Sequence, residues 1–136
     1  MRIVRFESET KTGWGIFEGG FIKEVESAAT GCVPGGFPFD HHRLTLTGQY
    51  YQPDAVTLLA PCRPSKIVAV GLNYRSHAAE IRMPLPDEPL LFLKPSTAVI
   101  GPNGVIVYPP MSRRVDYEAE LGVIISAAAK NVSERD

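Results

Sequence analysis

Cysteine is scarce in this chain, and an apolar run long enough to cross a bilayer is missing altogether. The two cysteines, Cys32 and Cys62, stand in loop-like stretches without metal-type spacing, so free thiols carrying no chemistry are expected. The N-terminus, Met1 to Glu7, alternates apolar with charged residues and never builds the apolar centre of a signal peptide. No window approaches the roughly 20 apolar residues of a membrane span. A cytoplasmic protein without a membrane partner is therefore expected. Lysine and arginine form no cluster, and the formal net charge is −1, which argues against nucleic acid as a partner. Internal repeats and low-complexity tracts are also absent.

What remains is an ordinary globular composition, with 44% apolar and 21% charged residues in 136, enough to form a packed core. The first segment reads as strands. Ile3, Val4 and Phe6 are followed by Trp14, Ile16 and Phe17, and a Gly19-Gly20 pair before Phe21, Ile22 and Val25 suggests a hairpin. Glycine and proline between Thr30 and Phe39 indicate loop, and the adjacent His41 and His42 fit a solvated loop better than a metal site.

Prolines at Pro61 and Pro64 hold the chain extended and mark a module boundary, giving a small β-rich module over 1–62 and a second part over 63–136. Beyond the boundary, Lys66 to Gly71 reads as a strand covered on both faces. A short helix is expected from Tyr74 to Arg82, capped by Asn73 and stopped by the prolines after Met83. Leu90 to Leu93 reads as a second buried strand, and a turn at Gly101 to Gly104 leads to a strand at Val105 to Tyr108. Tyr117 to Ile125 alternates as a last strand, with Glu118 and Glu120 on one face.

Two spacings bear on chemistry. Glu118 and Glu120 would stand about 6–7 Å apart along a strand, close enough for their oxygens to share a hard divalent ion, although an acidic strand face turned to solvent has the same pattern. His77 and Glu80, three residues apart, share a helix face, where the carboxylate can orient the ring for general-base work. A surface pair would look identical in sequence. The helix follows directly on a strand, the place where rigid scaffolds tend to present reactive groups.

Gly71-Leu72-Asn73-Tyr74-Arg75-Ser76-His77-Ala78-Ala79-Glu80, then Leu91-Phe92-Leu93-Lys94-Pro95, then Val115 to Ile125 resemble three successive motifs of the fumarylacetoacetate hydrolase family, in order and at compatible spacing. The resemblance runs from about residue 64 to 136. It implies a mainly β (α+β) fold, in which the small N-terminal module is followed by the first part of a mixed β-roll.

It further implies that Glu118 and Glu120 ligate Mg²⁺ or Mn²⁺, that His77 and Glu80 form a water-activating or proton-moving dyad, and that Lys94 contacts a substrate carboxylate. The short helix bearing the dyad would belong to a segment that orders as a lid over substrate, in keeping with the prolines and polar residues of Met83 to Pro89. The implied substrate is a small 2-oxo or β-diketo acid of the acylpyruvate, oxaloacetate or 2-hydroxy-dienedioate type. Hydrolysis, decarboxylation and isomerisation through an enolate are all open, and a homodimer is expected. Family members take a third carboxylate ligand from an aspartate some tens of residues further on, and the sequence ends at Asp136 before any such stretch. A truncated chain is therefore expected, with a non-catalytic binding or assembly module as the alternative reading.

Overall fold

A computed structural model describes residues 2–26, 44–125 and 129–135. The readings made for Cys32, His41, His42 and the 30–39 loop lie outside the described residues. Among the described residues, seven strands and one short α-helix give a mainly β, α+β arrangement. The chain divides into two compact units, Met1–Arg63 with Ile100–Asp136, and Pro64–Val99.

In the first unit, β1 (Arg2–Glu7), β2 (Thr12–Glu18), β3 (Phe21–Val25), β4 (Leu46–Tyr51) and β5 (Thr57–Leu59) form an antiparallel sheet in the order β4-β3-β2-β1-β5. The expected hairpin is β2–β3. Gly19 and Gly20, with φ of +62° and +84°, supply the two left-handed residues that its two-residue turn needs.

Phe6 and Ile22 are fully buried on one face of this sheet, and Trp14 and Val25 are buried on the other. The glycines of β2 make room for the first pair. A Cβ on Gly13 would meet the Phe6 ring at 2.9 Å, and one on Gly15 would meet Ile22 Cγ2 at 2.5 Å. Burying a side chain of this size contributes roughly 1.5–3 kcal/mol.

The same face carries one buried charge. The Glu24 carboxylate accepts hydrogen bonds from Lys11 Nζ (2.9 Å), Thr47 Oγ1 (3.2 Å) and Tyr51 Oη (3.4 Å). Opposite Glu24 the register of β3 with β4 shifts, and Gly48 takes φ +85° within that irregularity. The bulge and the carboxylate thus lie together, because a buried charge must be satisfied by donors drawn to it.

In the second unit, β6 (Ile67–Gly71) and β7 (Leu90–Lys94) pair antiparallel, with α1 (Arg75–Glu80) in the connection between them. The expected strands are present, but they are not buried. Val68, Val70, Leu91 and Leu93 are all exposed, Leu93 to 70%. Among the described residues the ribbon has no third strand, and two strands alone cannot cover both of their faces.

The helix is shorter than the expected 74–82. Tyr74, not Asn73, stands at its N-cap, in extended backbone and without a side-chain cap hydrogen bond. Its end is set before Pro84 is reached. Met83 N–H donates to Ala78 O, Arg82 N–H donates to Ala79 O, and Arg82 takes φ +56°, a Schellman closure with arginine in place of the usual glycine.

The turn at Gly101 forms, with Gly104 N–H donating to Gly101 O at 3.0 Å and Asn103 at φ +61°. The strands expected at Val105 to Tyr108 and Tyr117 to Ile125 do not form, and both segments are irregular and exposed. Alternation supplies the faces of a strand, but a strand also needs another strand to pair with its backbone groups, and among the described residues no strand pairs with these segments.

Candidate active site

Of the residues singled out for chemistry, His77 and Glu80 are brought together. They stand on α1, with His77 Nδ1 4.0 Å from Glu80 Oε2. That distance permits charge attraction but is too long for a hydrogen bond. The imidazole is about 40% exposed and the carboxylate about 80%, so solvent screens the pair. Ala78, fully buried between them in sequence, anchors the helix and leaves both polar side chains accessible.

Lys94 ends β7 on the same unit. Its Nζ lies 5.7 Å from the centroid of the Phe92 ring, two residues earlier on the same strand face, which is cation–π distance. The ammonium is solvent-exposed and available to an anion.

Glu118 and Glu120 belong to the other unit and are exposed on irregular backbone. Nearby, Arg114 Nε pairs with both oxygens of Asp116, at 2.9 and 2.8 Å. As donors, two carboxylates two residues apart suit a hard cation such as Mg²⁺ or Mn²⁺. In number they fall short. No group of three histidine, cysteine, aspartate or glutamate side chains is placed to hold a metal among the described residues.

Sequence reasoning missed the Glu24 cluster, because its four members come from three separated stretches and no local spacing announces them. Cys62 is a half-buried free thiol. Among the described residues no helix is long and apolar enough to cross a membrane.

Fold and candidate residues together define a β-rich α+β protein whose second unit sets a His–Glu pair on a short helix between two paired strands. Residues 66–136 match the family model described as fumarylacetoacetate (FAA) hydrolase C-terminal, and residues 1–61 match the one described as Rv2993c-like, N-terminal. The chain belongs to the fumarylacetoacetate hydrolase family.

Among its relatives, an uncharacterized protein of Archaeoglobus fulgidus is 52% identical over 100 residues, which is 74% of this chain and 40% of the relative. Human oxaloacetate tautomerase FAHD2A, mitochondrial, is 44% identical over 82 residues, covering 60% of this chain and 26% of the relative. Among solved structures, 5-carboxymethyl-2-hydroxymuconate delta-isomerase from Mycobacterium smegmatis superimposes with a TM-score of 0.56 at 36% identity, over 78% of this chain and 37% of that one. The chain spans less than half the length of each of these relatives.

Proposed function

We propose that the protein carrying this chain is an enzyme that moves a proton on a small 2-oxo or β-diketo acid. Keto–enol isomerisation is favoured over hydrolysis and decarboxylation. The observation that carries this reading is the His77–Glu80 pair on α1, accessible to solvent and lying within the segment that matches the family. The names of two relatives, an oxaloacetate tautomerase and a delta-isomerase, support isomerisation.

In this reading Lys94 binds the substrate carboxylate as a point charge. His77 takes the proton from the carbon beside the 2-oxo group and returns it elsewhere on the enolate, with Glu80 beside it on the same helix face. A divalent ion, Mg²⁺ or Mn²⁺, held by Glu118 and Glu120 with further ligands would supply Lewis-acid stabilisation of the enolate. The division into a module over 1–62 and a catalytic part over 63–136, the homodimer and the cytoplasmic location belong to the same proposal. A second reading, an assembly module without catalysis, is favoured by the exposed aliphatic face of β6 and β7.

The test is the ketonisation of enol-oxaloacetate followed by ultraviolet absorbance. His77→Ala is expected to lower turnover roughly 100-fold with Mn²⁺ affinity unchanged, and Glu80→Gln to fall in between. Glu120→Ala is expected to weaken Mn²⁺ binding at least about tenfold. Wild-type turnover in His77→Ala would remove the dyad from the mechanism, and its absence from the parent protein would favour the assembly module.

A further inference from the structure

Two residues other than glycine take left-handed backbone on either side of α1. Arg82, at φ +56°, is explained by the Schellman closure that it completes. Leu72, at φ +53°, stands between the end of β6 and the helix and completes no such cap. Leucine is disfavoured in this conformation because its Cβ crowds the backbone, and glycine would adopt it freely. A side chain on the preceding residue would be tight, since a Cβ on Gly71 would lie 3.0 Å from Leu90 Cδ2. A strained leucine where glycine would serve the turn better points to a use for the side chain.

That use is suggested by a cleft of about 330 Å³ in the same unit, which Leu72 lines together with Val70, Pro86, Pro89 and Leu90. The cleft is shallow and open to solvent, so it offers one wall to a ligand and does not enclose it. Its charged lining residues are Asp87 and Glu88, and carboxylates repel the acid group of a substrate while leaving an uncharged carbon chain unaffected. Asn73, also on the lining, is followed within two residues by the first turn of α1.

Resting on the reading above, we propose that Leu72 is a specificity-determining residue, its strained backbone retained because its side chain forms an apolar wall for the carbon chain of a 2-oxo acid. Within the 2-oxo and β-diketo acids proposed above, the substrates favoured are those with an extended apolar chain.

The experiment compares calorimetric binding of pyruvate and 2-oxoheptanoate to the protein carrying this chain and to its Leu72→Gly variant. Leu72→Asn serves as a second variant that tolerates the left-handed backbone. The wild type is expected to prefer the longer acid by about tenfold or more, a factor typical of an apolar contact, and both variants to lose most of that preference. Thermal melting is expected to leave Leu72→Gly at least as stable as the wild type, because glycine relieves the turn. An unchanged preference in the variants overturns the proposal, as does the absence of any preference or binding in the wild type. Because binding is read without turnover, chain-length discrimination that depends on Leu72 in a protein inactive on enol-oxaloacetate would sustain this proposal and sink the isomerase reading.

Discussion

The N-terminal sheet and the β6–β7 ribbon are both antiparallel and both rich in apolar residues, yet one buries its side chains and the other displays them. Phe6 and Ile22 are fully buried, whereas Leu91 and Leu93 are more than half exposed. The difference lies in neighbours. In the sheet, β1 and β2 are flanked on both sides, β2 carries glycines that let Phe6 and Ile22 settle against it, and the Phe6 and Tyr51 rings meet at 4.8 Å. Among the described residues the ribbon has two strands, and β7 is exposed on both of its faces. An apolar strand is therefore not core by itself, and the number of elements packed around it determines whether it is buried.

The largest test of that contrast is Phe6→Ala. It is expected to destabilise the N-terminal sheet by about 3–5 kcal/mol, read in urea by the fluorescence of Trp14, the single tryptophan, which lies in β2. A loss below about 1 kcal/mol would mean that the sheet does not depend on this core.

Glu24→Gln is next, at about 1–3 kcal/mol in the same assay, because a buried charged acceptor is exchanged for a neutral one. This cluster also gives a pH dependence. The hydrogen bond to Glu24 raises the Lys11 pKa above 10.5, its ordinary value. The folded state therefore holds this proton more tightly than the unfolded one. The stabilisation is complete below about 10.5 and is lost as pH rises through the higher folded value. Alkaline melting curves of Glu24→Gln should be flatter than those of the wild type in that window. Parallel curves would assign the alkaline loss to other groups.

Leu93→Ser should have the smallest effect on folding, within about 0.5 kcal/mol, since its side chain is already in water. Its effect should appear instead in association. Light scattering is expected to show self-association of the 136-residue chain through its exposed apolar surface, reduced in the variant. A marked loss of stability in Leu93→Ser would show that the ribbon face is covered after all.

Local signals were the legible ones. The Gly19-Gly20 turn, the short helix with His77 and Glu80, the Gly101 turn and the first three strands could all be read from neighbouring residues. Strands β4 and β5 were not foreseen. Thr47, Tyr50 and Tyr51 favour a strand, but Gly48 interrupts the pattern, and what holds β4 is its pairing with β3 and the Glu24 cluster. The opposite error occurred at Val105 to Tyr108 and Tyr117 to Ile125, where alternation is strong and pairing is lacking among the described residues. For the candidate site, sequence placed His77 beside Glu80. It could not indicate the left-handed backbone at Leu72, because leucine seldom adopts that conformation.

The strand order has a bearing on synthesis. Since β1 lies between β2 and β5, the first strand to leave the ribosome gains one neighbour within a few residues and the other only when Leu58 arrives to pair with Phe6. The meander β1–β2–β3 can assemble by short-range hairpins, which close quickly. Until β5 arrives, β1 is an open hydrogen-bonding edge of the nascent sheet. Translation pauses that come before β5 has left the ribosome would prolong that interval and pauses after its release would not, so codon speed before that point should affect the soluble yield more than codon speed after it.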